Sequence, residues 1–381
     1  MNRVCHVTSV HPRYDVRIFL KECVSLAKAG YEVTLLCADN LPAEIRDGVT
    51  IKSVDYFPSG RIKRILGAKK AILKGALEID ADIYHLHDPE LLPVARSLKK
   101  RGKIVIFDSH EDVPRQILNK QWIPRPLRKI ISYIFEMYEK RSAQKIDHII
   151  TATPYIETIF RESTDQVTTI CNFPKISEFD DLPEVKNESG TICYIGGITQ
   201  NRGIFQLIKA IETAQIELHL CGDFESEKLK QEITSLAGFK YAKYHGYLNR
   251  SGILKILSES SIGIVTLLPT RNHLNSYPIK MFEYMAAGIP VIASDFPLWR
   301  EVIEGNHCGV CVDPLNAGKI AEAITFLTEN PRLSSSMGSN GRKAILEKYN
   351  WENEEKKLLH LYAQLLNPVS MLKSKIDSVV A

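Results

Sequence analysis

The sequence predicts an α/β protein of two Rossmann-like, doubly wound domains facing each other across a cleft. Three observations carry this expectation. At 381 residues the chain exceeds what one hydrophobic core usually holds, so two domains are expected. Short apolar runs alternate with helix-period segments along almost the whole length, as repeated βαβ units require. The alternation breaks once, over 173–190 (FPKISEFDDLPEVKNESG), and then restarts. The divisions that follow are a first domain over 1–172, a linker over 173–190, a second domain over 191–350, a helix over 351–368 and a tail over 369–381.

In the first domain, 4–10 reads as the opening strand, and HPRYD leads into a helix over 16–29 that Gly30 ends. Strands over 31–37 and 49–54 come next, followed by a basic helix within 60–75. Then come a strand over 82–86, a helix over 90–99 and a strand over 104–107. A helix over 127–144, a strand over 147–151, a helix from Pro154 and a strand near 167–170 complete the domain. The strand ends collect polar residues: Ser9, His11, His85, His87 and Asp88, then the run from Asp108 through Ser109, His110 and Glu111 to Asp112. Open parallel sheets hold ligands at the carboxyl ends of their strands, so chemistry should gather here.

The second domain opens with a strand over 191–195, a turn at Gly196 and Gly197, and a helix that Arg202 and Gly203 start and that runs to Glu212. Strands over 216–221, 241–245 and 263–267 alternate with helices near 228–236 and over 250–257. A strand over 308–312 and helices over 317–329, 331–348 and 351–366 close the chain. Between them lies 275–301, NSYPIKMFEYMAAGIPVIASDFPLWRE, read as a helix over 279–287, a Gly288 cap and a buried strand over 291–293. Lys280 and Glu283, three residues apart, share a face beside the free amides of the helix start. A cation with donor amides can hold a phosphate, and a carboxylate can accept from sugar hydroxyls. The bland alternative is a surface ion pair.

With 44% hydrophobic and 25% charged residues, the composition is that of a soluble globular protein. No apolar run reaches the roughly 20 residues that span a bilayer, and His6 and Pro12 interrupt any signal-peptide core, so a cytoplasmic protein is expected. The eight cysteines mostly sit in apolar runs, as reduced buried thiols do; Cys308 and Cys311 form a C-x-x-C with no second pair nearby. The net charge of +4 is concentrated: residues 60–75 hold six basic residues and no acidic one, at helical spacing with Ile and Leu. A second basic segment, 119–135, adds Trp122 and Tyr133. Both suit peripheral contact with an anionic membrane and equally suit solvated amphipathic helices. A pI near 8.5 and the lack of an aromatic stacking platform argue against nucleic acid.

Four segments carry a family resemblance: SVHPRYDVRIFLKECVSLAKAGYEVTLL, IVIFDSHEDVPRQI, YIGGITQNRGIFQLIKAI and YPIKMFEYMAAGIPVIASDFPLWREVI. Over nearly its whole length the chain resembles the GT-B retaining glycosyltransferases of family 4, of the bacterial envelope-polysaccharide type. The resemblance implies a nucleotide-sugar donor, UDP or GDP type, held mainly by the second domain. It implies a glycan or polyprenyl-diphosphate-linked acceptor on the first, no metal or other cofactor, and a C-terminal helix crossing back to the first domain. The pathway implied is O-antigen (lipopolysaccharide), capsule or exopolysaccharide assembly.

Carried over by position, Glu283 matches the second glutamate of the family's E-x7-E motif and is expected on the ribose. Asn275 stands where the first glutamate usually is. Gly197 stands where the diphosphate-binding arginine usually is, Arg202 fills the place of its partner lysine, and Lys280 is the candidate for the missing cation. Tyr277 joins these on the donor side. His110 matches the first-domain histidine and, with Lys280 and Arg202, makes the expected catalytic set. His11, Asp15, His87, Asp88 and Glu111 are the expected acceptor residues. Retaining enzymes of this type are thought to use front-face attack, with the leaving phosphate taking the proton, so no carboxylate nucleophile is assigned.

Other readings stay open at this level. His85 and His87 alternate on one strand and so point to one face, and with Asp88 and His110 they also read as a metal cluster. A GT-B sugar-nucleotide 2-epimerase is an alternative, and so is a non-catalytic scaffold of a polysaccharide assembly complex, given Asn275 and Gly197. No G-x-G-x-x-G follows the first strand, which counts against a dehydrogenase.

Overall fold

The computed structural model describes residues 1–54, 61–118, 120, 123–182 and 190–367, with the backbone alone over 61–68. It divides into two compact units, Met1–Asn172 with Asn353–Ala381, and Phe173–Glu352. The tail over 369–381 and Trp122 lie outside the described residues.

The first unit is an eight-stranded sheet of β1 (Arg3–Val7), β2 (Glu32–Cys37), β3 (Glu44–Arg46), β4 (Val49–Ser53), β5 (Ile83–Leu86), β6 (Ile104–Ser109), β7 (His148–Thr151) and β8 (Val167–Thr169). Its order is β3-β4-β2-β1-β5-β6-β7-β8, parallel except for the β3–β4 pair. The connection reverses direction at β1 and β5, the topological switch point where such sheets bind ligands. Burial of Leu36, Tyr84, Leu86, Phe107, Ile149 and Phe160 closes the core. The edge strand β3 was not foreseen because its one apolar residue, Ile45, is exposed and gives no apolar run.

Two expectations need correction here. The helix read over 16–29 is a π-type turn, Ile18–Cys23, running into an α-helix, Val24–Lys28. Asp15 opens it by accepting from the Arg17 and Ile18 amides at 2.8 and 2.9 Å. Within the turn both Lys21 and Glu22 are buried, which an amphipathic reading places in solvent. The linker read over 173–190 is folded as far as residue 182, and residues 183–189 lie outside the described residues. Phe173 packs against Phe282 and Tyr349 with ring centroids 4.7 and 5.4 Å apart, and Asp180 reaches Arg342 at 3.2 Å. Two aromatics, Phe173 and Phe179, anchor a stretch whose polar composition hid them.

The second unit is a six-stranded, all-parallel sheet of β9 (Ile192–Ile195), β10 (Leu218–Cys221), β11 (Ala242–Gly246), β12 (Ile262–Val265), β13 (Val291–Ser294) and β14 (Gly309–Val312), in the order β11-β10-β9-β12-β13-β14. Its switch point lies between β9 and β12. Helix Ile279–Ala286 covers this point and ends at Gly288, whose φ of +74° suits glycine. Tyr284 on that helix packs against Gly263, where a Cβ would fall 2.3 Å from its ring. The tyrosine hydroxyl accepts from the Ile195 amide at 3.0 Å, fixing the end of β9. The short helices Val113–Ile117 and Arg271–Leu274 were not foreseen. They rest on side-chain caps, Asp112 and Thr270, more than on an apolar period.

The last helix, Trp351–Leu366, belongs to the first unit from Asn353 onward. There Glu354 accepts from the Cys171 amide at 2.9 Å, and Tyr362 reaches His85 Nδ1 at 2.9 Å. No described helix is long and apolar enough to cross a membrane.

Replacing Tyr284 by Phe removes the acceptor of a buried amide at the end of β9. Tyr284→Phe should lower the unfolding free energy by about 1–3 kcal/mol. Urea denaturation followed by circular dichroism measures this, and an unchanged midpoint would remove the hydroxyl from the account.

Candidate functional site

In the second unit the site grows from the turn after β9. Gly196 sits at φ +125°, and a Cβ there would lie 3.2 Å from Arg202 Nη1 and 3.4 Å from Lys280 Nζ. Arg202 Nη1 and the Tyr194 hydroxyl both donate to the Gly197 carbonyl, at 3.3 and 2.9 Å. Lys280, on the first turn of Ile279–Ala286, is buried and carries its ammonium 3.7 Å from the Tyr194 ring centroid. Its Nζ has no hydrogen-bond partner among the described residues. Burial first, and then the Arg202 charge, push its pKa well below the ordinary lysine value. Two cations thus converge on a glycine turn at the switch point of a parallel sheet, an arrangement that suits an anion.

Glu283 does not pair with Lys280, so the bland ion-pair alternative fails. It accepts a hydrogen bond from Arg250, which also reaches Glu178 at 2.6 Å and lies 5.1 Å from the Phe179 ring centroid. Sequence reasoning missed Arg250. Asn249 caps helix Arg250–Ser258 and thereby sets Arg250 at its first position, but no motif links it to Glu283. Asn275 ends the helix Arg271–Leu274, and the Ser276 carbonyl accepts from Trp299 Nε1 at 2.7 Å. The Tyr277 ring packs edge-on to Phe282 at 5.5 Å.

In the first unit, β1 pairs with β5 so that His6 stands opposite His85. By strand alternation His87, Asp108 and His110 share their face. All of these but His110 are fully buried. Arg17 makes two hydrogen bonds to the Asp108 carboxylate, both at 3.0 Å, and a third to the Ile170 carbonyl at 2.8 Å. Asp88 accepts from Thr8 Oγ1 at 2.8 Å and the Ser9 amide at 2.6 Å, and lies 2.9 Å from His11 Nδ1. Burial alone would raise the Asp88 carboxyl, but His11 and these donors hold it below its ordinary value. The same contact raises His11 against its own burial.

His110 stacks on His87 with centroids 5.4 Å apart and an interplanar angle of 4°, and its Nδ1 lies 3.4 Å from Asp108 Oδ1. Burial lowers its pKa to about 3 despite Asp108, so the ring is neutral. Of the residues expected on the acceptor side, His87 and Asp88 are enclosed and already partnered, and Asp15 opens the π-type turn. His11 and Glu111 keep exposed surface, Glu111 accepting from Gln116. Sequence reasoning missed His6, Arg17, Glu22 and Tyr362. His6 alone had a legible signal, the β1–β5 pairing that a doubly wound sheet imposes.

The structure resembles known folds over its whole length. HepE from Anabaena, solved in complex with UDP, matches with a TM-score of 0.72 and 14% identity, covering 96% of this chain and 100% of that one. The class is therefore the GT-B fold. Among curated proteins, the phosphatidyl-myo-inositol mannosyltransferase of Mycolicibacterium smegmatis is 21% identical over 355 residues, 88% of this chain and 86% of that protein. An uncharacterized glycosyltransferase of Methanocaldococcus jannaschii is 23% identical over 183 residues, 47% of this chain and 46% of that relative.

The family model described as Glycosyltransferase Family 4 matches residues 17–174, and that described as Glycosyl transferases group 1 matches residues 176–344. The chain belongs to the GT-B glycosyltransferases of the family 4 type and is a transferase enzyme.

Arg17 is the fixed cation bonded to Asp108. Arg17→Met should destabilise the chain by about 3–5 kcal/mol, because it strands a buried charge. Chemical denaturation of the full chain tests this, with Arg17→Lys expected to recover part of the loss.

Proposed function

We propose that the chain transfers a hexose, with retention, from a UDP or GDP sugar to a glycan or polyprenyl-diphosphate-linked acceptor in the assembly of a cell-surface polysaccharide. The observation that carries this is the convergence of Lys280 and Arg202 on the Gly196–Gly197 turn. In the reaction the bond from the anomeric carbon to the phosphate oxygen breaks and the acceptor oxygen bonds to that carbon on the same face. The acceptor proton passes to the leaving phosphate. Negative charge therefore grows on the diphosphate, where two fixed cations act without a metal. Glu283 takes the ribose hydroxyls, with Asn275 and Tyr277 beside the donor. His110, a neutral ring with nitrogens unbonded to described residues, accepts from a sugar hydroxyl. That HepE was solved with UDP and that the mycobacterial relative is named a mannosyltransferase support a nucleotide-sugar donor.

The acceptor's lipid link is favoured by a face of the first unit. Helix Arg125–Ala143 exposes Leu127, Ile130, Tyr133 and Ile134. Beside its end is a groove of about 660 Å³ whose lining includes Lys69, Arg96, Lys100, Arg141 and Lys145 and, among the described residues, no carboxylate. Exposed apolar side chains beside clustered cations suit an anionic membrane surface. The basic segment over 60–75 contributes exposed Lys69, Lys70 and Lys74, while its residues 61–68 and Trp122 of the second segment have no described side chains.

A thermal-shift panel of nucleotide sugars tests the donor. A true donor at 100 times its dissociation constant should add about 2.7 kcal/mol of stability. Glu283→Ala should weaken that donor by about 1–3 kcal/mol. Product formation only when an acceptor is present separates transfer from 2-epimerisation. His110→Ala should leave donor affinity near wild type and slow transfer, and full activity would remove it from the site.

Lys280 adds a pH signature. Its free-state pKa is depressed, and a bound diphosphate favours the ammonium, so binding takes up a proton. Affinity should fall as pH rises through the window between the depressed value and the ordinary lysine value. Calorimetry in buffers of differing ionisation enthalpy measures the uptake, and Lys280→Met should abolish it. Charge removal at Lys69, Lys70 and Lys74 should reduce co-sedimentation with anionic liposomes; undiminished co-sedimentation would leave these three residues out of any membrane contact.

A further inference from the structure

We propose that His6, Glu22, His85 and His87 form a structural binding site for a divalent transition metal ion, with a ligand set suited to Zn2+. One ligand atom from each lies within 4.8 Å of all the others, and all four side chains are fully buried. Glu22 Oε2 stands 3.8 Å from His6 Nδ1, 4.0 Å from His85 Nδ1 and 3.9 Å from His87 Nε2, while His6 Nδ1 and His87 Nε2 are 2.9 Å apart. Ligand atoms on a tetrahedral ion with bonds of about 2.0–2.1 Å stand about 3.3 Å apart, and the four distances straddle that value.

The surroundings are those that ligating side chains need. An imidazole on a metal directs its other nitrogen at a carboxylate or another polar group. Here His85 Nε2 and His87 Nδ1 each face Asp108 Oδ2 at 3.7 Å, and His6 Nε2 faces the Tyr362 hydroxyl at 3.3 Å. The second oxygen of Glu22 lies 3.1 Å from Arg17 Nε. His6 and His87 thus each turn one nitrogen to the common centre and one to a polar partner, while His85 Nδ1 also lies 2.9 Å from the Tyr362 hydroxyl, a contact the ion would replace.

Protein groups alone leave this centre mismatched. The Glu22 oxygens have no hydrogen-bond partner among the described residues, and one shared proton between His6 and His87 does nothing for Glu22. Arg17 lies against Oε1 at 3.1 Å, and a second cation between Oε2 and the three imidazole nitrogens would offset the cost of burying that oxygen. Three imidazoles and one carboxylate, with no thiolate and no carbonyl oxygens, form a borderline donor set that suits Zn2+ and disfavours Ca2+ or Mg2+. Four protein ligands close the coordination, so the ion holds structure and takes no part in sugar transfer. It ties β1, β5 and the π-type turn together and fixes His87, on which His110 stacks. This inference does not rest on the donor reading.

The test uses the full chain without a polyhistidine tag, purified without chelator. Elemental analysis should find about one Zn2+ per chain, and stripping it with dipicolinate should lower the melting temperature until Zn2+ is restored. Refilling with Co2+ should give the visible absorption of a tetrahedral centre, a readout that needs no variant to fold. Glu22→Gln and His85→Asn should each lose the metal. A wild-type chain that neither carries Zn2+ nor takes up Zn2+ or Co2+ overturns the proposal. Folded variants that both keep full metal content also overturn it, because the ion then lies elsewhere.

Discussion

Two basic side chains share one glycine turn in the second unit, and much of that unit's local structure follows from holding them there. Lys280 is buried, so its ammonium costs desolvation that no carboxylate bond offsets; the Tyr194 ring face is its nearest compensation. The turn admits both cations because Gly196 has no side chain and a positive φ. The Tyr194 hydroxyl holds the Gly197 carbonyl, and the Tyr284 hydroxyl holds the last amide of β9. Rigid placement of this kind lets cations respond to charge that develops during a reaction without first reorganising.

The first unit solves the opposite problem. Its strand ends bring together buried carboxylates and imidazoles, and Arg17 is the fixed cation that bonds Asp108 and lies against Glu22. The turn that carries Arg17 is π-type, and Asp15 opens it. Charge, turn geometry and sheet register are one constraint here. Displacing the turn would strand Glu22 and Asp108 together, and at this depth neither can be left to water.

How legible this was differs by level. Thirteen of the strands were readable, most because buried parallel strands write themselves as short apolar runs and the exposed β11 by its place in the alternation, and β3 was not because its residues are largely exposed and polar. The rule that ligands sit at the carboxyl ends of parallel strands made the polar strand ends of the first unit legible. Arg202 was legible through the family pattern and Lys280 through its place at a helix start, and the structure brings both to Gly196. Arg250 and Arg17 were not legible. Each acts through a partner far away in sequence, Glu283 and Asp108, and no local period or motif records a long-range ion pair. Burial hid Glu22 for a related reason, since a charged residue between a lysine and a cysteine reads as surface.

Asn275 and Gly197 are the two positions where this chain departs from the motif its family resemblance implies, and the structure bears differently on each. At Gly197 a side chain would enter the space beside Arg202, since a Cβ there falls 3.5 Å from Nη1; the positive charge is carried instead by Lys280 from the neighbouring helix. The charge is thus moved, not lost. At Asn275 no carboxylate is restored nearby by the same helix, because Glu283 is committed through Oε1 to Arg250. Its other oxygen remains for a ligand, enough for one pair of vicinal hydroxyls and no more. On the donor reading proposed above, two basic side chains and one remaining carboxylate oxygen should hold the diphosphate firmly and be less exacting about the sugar, so the consequence of Asn275 belongs in sugar choice.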